Sequence, residues 1–397
     1  MLDLAKEKLT ALKKFSLNCM NKLSKTFCPA KWDEIMVNLN ANYVYSCCKS
    51  TPIKIIDKNS INSALDIQKN NLLNGIQDPS CNYCWSIENS GNHKSLRQEY
   101  LTKFDNKQYN DYKNNNVVSK LIEINIGNEC NFQCTYCNPK FSSQWESDVK
   151  KQSYKIFSDK DFYEVYNNNN SKATDLSIEW LLSQKDIDIL KILGGEPLQN
   201  KNFFKVVNSV KAKHLGFSTN LSCKKTIIDK VLALSKNYES MIITISLDST
   251  DKVAEFTRYG MNFKHLLDNV DYLITNAPKN VKIKFASLMT SITIQDFGNT
   301  VTLIDHYYQK DKKKIDWLIN YTIDPKIFTF ATLHDKYKDD ILKIINKIKD
   351  RKYIQGLDTL EGAIKESKFN KTLYGQMKNF LEEFSTRKNI DIPVIIE

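Results

Sequence analysis

The segment Cys130-Asn-Phe-Gln-Cys134-Thr-Tyr-Cys137 places three cysteines on one short loop, directly after a predicted strand over 121–126. Three thiolates at this spacing can hold three irons of a [4Fe–4S] cube and leave the fourth iron free for another ligand. Zinc sites also use close cysteine pairs, but structural zinc prefers four ligands and this loop offers three. Because α/β folds place their active sites after strands, the segment predicts an iron–sulfur centre in an α/β protein.

Cysteine usage along the whole chain supports a metal or cluster protein. The amino terminus lacks the apolar core of a secretory signal, which predicts a cytoplasmic protein in a reducing compartment. There, cysteines at spacings of two or three are typical of metal or cluster ligands rather than disulfides. The chain has ten cysteines, at positions 19, 28, 47, 48, 81, 84, 130, 134, 137 and 223.

Composition excludes some classes of protein. With 41% hydrophobic and 26% charged residues in 397, the chain can form a packed core and is not predicted to be disordered. No run of about 18 apolar residues occurs, so no transmembrane segment is predicted. The net charge of +11 is spread along the chain, which permits nucleic-acid binding without arguing for it.

The hydrophobic pattern predicts four regions. Residues 1–25 form an amphipathic helix, 26–110 a small cysteine-rich domain, 115–330 an alternating β–α core, and 331–397 a helical extension with two helices and an extended end. Repeated β–α alternation indicates parallel strands with helices outside, in a barrel or an open sheet. The six predicted strands, too few for a closed eight-stranded barrel, are 121–126, 187–193, 215–219, 242–247, 283–288 and 317–323.

These motifs resemble the radical S-adenosylmethionine (SAM) superfamily over about residues 118–330. The aromatic Tyr136 precedes the third cysteine, and Gly194-Gly195-Glu196-Pro197 ends the next core strand. The resemblance implies a partial (β/α)6 barrel in which Cys130, Cys134 and Cys137 bind a [4Fe–4S] cluster. It also implies that SAM chelates the open iron and that the glycine segment contacts the SAM amino group. Adjacent glycines allow close backbone approach to a ligand, and Glu196 would complement a cation.

Later strand ends carry further candidate SAM contacts by the same resemblance. Thr219 and Asn220 end the third strand, Ser246 and Asp248 end the fourth, and Arg258 follows. The resemblance implies that Ser246 and Arg258 meet the SAM carboxylate, and that Asp248 lies near the ribose or substrate. Each residue also has an ordinary structural interpretation, as a strand-end cap, a surface ion pair or a helix N-cap.

A second cysteine set precedes the core. Cys28, Cys47, Cys81 and Cys84 resemble the auxiliary-cluster modules of radical SAM enzymes called SPASM and twitch, with Asn42 at the turn-glycine position and Cys48 as a competitor of Cys47. The module usually follows the core, whereas here it precedes it. Four ligands suffice for one further [4Fe–4S] cluster, and a four-thiolate zinc site fits the spacing nearly as well.

The resemblance implies an enzyme that reductively cleaves SAM to a 5′-deoxyadenosyl radical, which abstracts hydrogen from a substrate. Relatives with auxiliary clusters suggest a peptide or protein substrate and an electron donor such as flavodoxin or ferredoxin. Two alternatives remain: a radical SAM enzyme acting on a nucleotide, nucleic acid or small metabolite, and a non-catalytic iron–sulfur or zinc protein.

Overall fold

The computed structural model describes residues 23–39, 43–54, 57–91, 95–105, 108–114, 121–155, 171–184 and 187–393. The chain divides into two compact units. The first contains 1–125, 168–191 and 209–213, and the second contains 126–167, 192–208 and 214–397. No described helix is long and apolar enough to cross a membrane.

The first unit combines a small mixed sheet with helices. Neighbouring strands run in the order β3-β2-β1-β4-β6, with β1 parallel to β4 and antiparallel to β2. Its strands are β1 (Glu34–Asn38), β2 (Tyr43–Tyr45), β3 (Ile53–Lys54), β4 (Leu121–Asn125) and β6 (Ile187–Leu193, of which 192–193 belong to the second unit). Its helices are α1 (Ala30–Asp33), α2 (Lys58–Leu73), α3 (Asn82–Ser90), α4 (Leu96–Lys103), α5 (Tyr109–Lys113) and α7 (Ser171–Ser183).

Aromatic packing holds the amino-terminal segment of this unit. Phe27 lies with its ring centroid 5.4 Å from that of Trp32 and 5.9 Å from that of Tyr112, and all three side chains are buried. Most of the predicted helix over 1–25 lies outside the described residues, and residues 23–25 are not helical. Helix α2 was not predicted, because its mostly polar composition obscures the spacing of apolar residues that indicates a helix.

The second unit is built on parallel strands. They run in the order β7-β8-β10-β11-β12, and each described neighbouring pair is parallel. Its strands are β7 (Ala212–Thr219), β8 (Ser240–Ser246), β10 (Val281–Met289), β11 (Ile315–Tyr321), β12 (Ile354–Gln355) and the separate antiparallel pair β5 (Gln133–Cys134) and β9 (Arg258–Tyr259). Its helices are α6 (Ser143–Lys151), α8 (Phe203–Ser209), α9 (Lys225–Leu234), α10 (Asp251–Thr257), α11 (Phe263–Asn276), α12 (Phe297–Lys310), α13 (Asp335–Ile348), α14 (Leu357–Glu366) and α15 (Lys371–Lys388).

The predicted α/β class is confirmed, and all six predicted core strands are present as β4, β6, β7, β8, β10 and β11. Alternating burial explains why the pattern was readable: in β10, every second residue from Val281 to Met289 is buried. The number of helices in the carboxyl-terminal region was predicted wrongly. It contains three helices, α13 to α15, rather than two, and the short strand β12 adds to the sheet beside β11.

The carboxyl-terminal helix α15 supplies a large part of an aromatic core. Phe380 is fully buried, and its ring centroid lies 5.5 Å from those of Tyr154 and Phe328 and 6.3 Å from that of Trp145. Trp145 lies in α6, immediately after the three-cysteine loop. The helix therefore supports the segment that carries the cysteines.

We expect Phe380→Ala to lower the free energy of unfolding by about 3–5 kcal/mol, because the truncation leaves a cavity among close-packed rings. Denaturant unfolding followed by tryptophan fluorescence would measure the change. Lys378→Ala, on the exposed side of the same helix, is the matched control and should change stability by less than about 0.5 kcal/mol. Equal unfolding midpoints for the two variants would contradict the packing role of α15.

Candidate functional site

The three-cysteine loop is fixed by backbone pairing. Strand β5 pairs antiparallel with β9, so that Cys134 lies opposite Arg258. The indole Nε1 of Trp145 donates a 2.7 Å hydrogen bond to the carbonyl of Cys134, and the amide of Cys130 donates to the Ser143 hydroxyl at 3.1 Å. These contacts hold the first two cysteines at defined positions without using their sulfur atoms.

Burial makes isolated thiolates unfavourable in this loop. Burial raises the pKa of Cys130 to about 12, although the Phe132 amide donates to its Sγ at 3.4 Å. Burial also raises the pKa values of Cys134 and Cys137; at Cys137 the neighbouring Cys134 adds to the effect. Thiolates here therefore need positive charge beside them, which bound iron would supply.

A buried charged triad lies against the loop. One nitrogen, Nη1 of Arg258, lies 2.8 Å from both the Tyr136 hydroxyl and Oδ2 of Asp248. The Tyr136 hydroxyl also donates to Oδ2 of Asp248, and the amide of Leu288 donates to Oδ1 at 2.7 Å. Arg258 and Asp248 thus form a buried ion pair, rather than the surface pair of the ordinary interpretation, and Tyr136 belongs to the same network.

This triad controls the local electrostatics. Burial disfavours the guanidinium charge, but its acidic neighbours, among them the carboxylate of Asp248, outweigh this effect and raise the pKa of Arg258. Burial raises the pKa of Tyr136 well above its usual value, so the phenol stays protonated. The Nε of Arg258 is buried without a hydrogen-bond partner in the described part of the chain. A buried donor without a partner indicates that an acceptor is missing at this position.

The two glycines after β6 pack against the backbone that leads into Cys130. A Cβ on Gly194 would lie 2.8 Å from the carbonyl oxygen of Gly127, and one on Gly195 would lie 2.5 Å from that of Glu129. The amide of Gly195 donates to the Gly127 carbonyl at 2.7 Å, and that of Glu196 donates to the Glu129 carbonyl at 2.8 Å. From the sequence, the two glycines were expected to allow close approach by SAM. In the structure, the lack of side chains at these positions lets the backbone of the cysteine loop pack closely.

Glu196 is a structural connector in this site. Its Oε1 accepts hydrogen bonds from the Leu198 amide at 3.0 Å and the Thr219 hydroxyl at 2.7 Å, and its Oε2 accepts from the Asn220 amide at 2.5 Å. Burial raises its pKa, and these hydrogen bonds oppose the rise. The carboxylate is therefore engaged by neutral donors of its own chain.

Asn220 connects the end of β7 to the cysteine loop. Its Nδ2 donates to Oδ1 of Asn131, within the loop, at 2.8 Å. Gly260, which the sequence analysis missed, lies against the same residue: a Cβ there would lie 2.8 Å from the Asn131 carbonyl oxygen. The signal for Gly260 was its position two residues after Arg258, where a side chain would separate β9 from β5.

The remaining predicted contacts lie at strand ends. Ser246 is the half-buried last residue of β8, and Pro197 is buried at the start of a short 3-10 turn over Pro197–Gln199. The structure thus gathers the predicted residues of the three-cysteine loop, the glycine segment, β7, β8 and β9 within the second unit.

The donor set fits a [4Fe–4S] cluster with SAM. Three unpaired cysteines, whose burial disfavours isolated thiolates, share the site with an orphaned guanidinium Nε suited to an anionic ligand such as a carboxylate. No three described His, Cys, Asp or Glu side chains are grouped closely enough for a single metal ion.

The four amino-terminal cysteines also come together, in the first unit. Cys28, Cys47, Cys81 and Cys84 are buried and line one cavity, whereas Cys48 is exposed. Asn42, the predicted turn residue, lies outside the described residues. Cys81 and Cys84 lie at the start of α3, where Asp78 accepts a hydrogen bond from the Ser80 amide at 2.9 Å and fixes the turn. Cys223, in the second unit, is a buried free thiol.

We expect Gly195→Ala to weaken both cluster loading and SAM binding, because its Cβ would displace the Glu129 carbonyl next to Cys130. A loss of about 1.4 kcal/mol corresponds to roughly tenfold weaker SAM binding. Iron analysis and equilibrium dialysis with SAM would measure the two effects. Gly375→Ala is the matched control, since a Cβ there meets nothing within 4 Å. Unchanged iron content and SAM affinity in Gly195→Ala would show that the close approach is unimportant.

The chain is similar in sequence to proteins of known activity. The chain is 24% identical over 255 residues to the radical SAM cyclopropyl synthase TigE of Paramaledivibacter caminithermalis, covering 60% of this chain and 47% of the relative. It is 27% identical over 199 residues to GTP 3′,8-cyclase of Shewanella denitrificans, covering 47% and 49%. The chain thus spans about half the length of these relatives.

The chain is also similar to a solved structure and to the sequence pattern of a family. The structure of histidine-tagged anSMEcpe with bound AdoMet aligns with a TM-score of 0.38 at 15% identity, covering 63% of this chain and 65% of that one. The sequence pattern of the Radical SAM superfamily matches residues 124–304, which contain the three-cysteine loop, the glycine segment and Arg258. Residues 124–304, which carry these cysteines, glycines and strand ends, thus match the Radical SAM superfamily, and the chain is similar in sequence to a radical SAM enzyme.

Proposed function

We propose that the protein reductively cleaves SAM and uses the product to abstract hydrogen from a substrate. The observation that carries this proposal is the convergence of three unpaired cysteines, the glycine segment and a buried arginine with an unpartnered Nε. A [4Fe–4S] cluster bound to Cys130, Cys134 and Cys137 would supply, with SAM and one electron, the 5′-deoxyadenosyl radical chemistry of the superfamily.

The protein residues have distinct roles in this proposal. Trp145 and Ser143 fix the backbone of the cysteines, and Glu196 fixes the glycine segment against the end of β7. Arg258 presents its Nε to an anionic group such as the SAM carboxylate, and Ser246 lies at the next strand end. Asp248 neutralises Arg258 and orients it, and Tyr136 stays protonated to donate to Asp248. These roles organise a ligand site before the ligand arrives.

We further propose a second [4Fe–4S] cluster on Cys28, Cys47, Cys81 and Cys84. The shared cavity supports it, because four thiolates that line one cavity suffice for one further cluster. Four protein ligands would leave no iron open to SAM. The twitch-like character of this module is part of the proposal, because the module precedes the core and Asn42 lies outside the described residues.

For the substrate we propose a peptide or protein, following the resemblance to enzymes with auxiliary clusters. A nucleotide is the second candidate, because two organisms' GTP 3′,8-cyclases are among the sequence relatives. A donor such as flavodoxin or ferredoxin would supply the electron. We also propose a cytoplasmic location, because all nine described cysteines are unpaired. Deuterium transfer from labelled candidate substrates into 5′-deoxyadenosine would distinguish the two classes.

We expect anaerobically reconstituted protein to form 5′-deoxyadenosine and methionine from SAM when a strong one-electron reductant is added. The variant with Cys130, Cys134 and Cys137 all changed to Ala should form neither, because it cannot hold the cluster that binds SAM. Chromatography of the reaction mixture would measure both products. Cys223→Ala removes a buried thiol outside the loop and should retain activity. Product formation by the triple variant would refute the proposed function.

We expect about eight irons in the wild type and about four in the triple variant, since each cube holds four. In the triple-variant background, Cys47→Ser should remove the remaining iron and Cys48→Ser should retain it, because only Cys47 lines the cavity. Iron, sulfide and zinc analysis would measure this. One bound zinc and no iron in the triple variant would replace the second cluster with a structural zinc site and leave the core chemistry intact.

A further inference from the structure

The cavity of the amino-terminal cysteines contains a buried lysine with neutral partners. Lys31 lies in α1 and is 2% exposed. Its Nζ lies 2.5 Å from the Ser46 hydroxyl and 3.3 Å from both Oε1 of Gln68 and the Ser80 hydroxyl. All three partners are uncharged. A buried ammonium group with only neutral partners is costly, because desolvation of the ion is repaid only by opposite charge.

No carboxylate forms an ion pair with Lys31 in the described part of the chain. Asp78 interacts with it electrostatically, but the Asp78 oxygens accept hydrogen bonds from the Ser80 amide at 2.9 Å and from Nδ2 of Asn71 at 2.8 Å. Lys31 also acts electrostatically on the thiols of Cys28 and Cys81, and it is a hydrogen-bond partner of Cys81. The opposite charge must therefore come from the cavity itself.

The other cations that line this cavity are already compensated or solvated. Nε of Arg97 donates to Oε1 of Glu88 at 2.9 Å, and its Nη2 forms an ion pair with the same carboxylate. Lys49 is exposed and lies over the ring of Tyr83, 4.9 Å from its centroid. Lys31 thus differs from both in being buried beside the cysteines without a carboxylate.

We infer that Lys31 is the counter-charge of the amino-terminal cluster, a positioning residue that helps to retain it and raises its reduction potential. This inference rests on the proposed second cluster. Four thiolates and an oxidised cube together carry about two negative charges, and one-electron reduction adds a third. A cation a few ångströms away stabilises the reduced form more than the oxidised form, and the low dielectric of the cavity strengthens the effect.

The test uses the full chain with Cys130, Cys134 and Cys137 changed to Ala as the parent, so that only the amino-terminal cluster contributes. Lys31→Met and Lys31→Gln remove the charge, and Ser46→Ala removes a hydrogen-bond partner but keeps the charge. Lys69→Met removes a lysine of the same unit that lies over the Trp32 ring, 5.9 Å from its centroid, and that does not line the cavity. Titration with dithionite, followed by electron paramagnetic resonance, gives the fraction of reduced cluster at each potential.

We expect both Lys31 variants to lower the reduced-to-oxidised ratio at a given potential at least tenfold, about 59 mV for a one-electron couple. Ser46→Ala and Lys69→Met should remain close to the parent. If Lys31→Met does not fold, Lys31→Gln decides, because it keeps a polar group toward Ser46. If a Lys31 variant retains four irons and has the same reduced-to-oxidised ratio as the parent, the proposed role of Lys31 is overturned. The second cluster itself would stand. A parent without iron would overturn the second cluster and the Lys31 inference together, while SAM cleavage by the wild type would still support the core function.

Discussion

The close backbone approach between the glycine segment and the residues before Cys130 is the constraint on which the rest of the site depends. Gly195 and Glu196 pair with the carbonyls of Gly127 and Glu129, and a Cβ on Gly195 would lie 2.5 Å from the latter oxygen. The loop that carries the cysteines can lie this deep only because the side chain is absent. Glu196 then transmits the position to the end of β7 through its hydrogen bonds to Thr219 and Asn220. One steric condition thus sets the relative position of two strand ends and the cysteine loop.

A second backbone interaction sets where the buried charge lies. The β5–β9 pair places Arg258 opposite Cys134, and the missing side chain at Gly260 lets the two segments approach. Arg258 then reaches Tyr136 and Asp248 with one nitrogen and leaves Nε without a partner. Because Asp248 is also held by the Leu288 amide, the guanidinium is fixed from two strands. The Asp248 carboxylate offsets the free-energy cost of burying the guanidinium. The remaining hydrogen-bonding capacity of the guanidinium is available to a ligand.

The sequence predicted the six core strands and the cysteine sets because these features follow from local periodicity and spacing. Period-two burial in β10 and the C-x3-C-x2-C spacing are both readable within a dozen residues. The roles of Glu196 and Gly260 were not predictable in this way, because they depend on contacts with residues 23 and about 130 positions away. Helix α2 was missed because its exposed polar residues outnumber the apolar ones that pack, and the third carboxyl-terminal helix because short connections separate α13, α14 and α15.

Each cysteine set has a buried cation beside it, and the two cations differ in how they are compensated. Arg258 has a carboxylate partner, so its pair with Asp248 is nearly neutral and acts mainly by directing hydrogen bonds. Among the described residues Lys31 forms no ion pair and donates to three neutral oxygens, so its charge acts on the neighbouring cysteines. A neutral pair suits a site that must admit a charged, exchangeable ligand without holding it too tightly. In the proposed second cluster all four thiolates would be engaged, and an uncompensated cation suits such a site because the opposite charge would not leave.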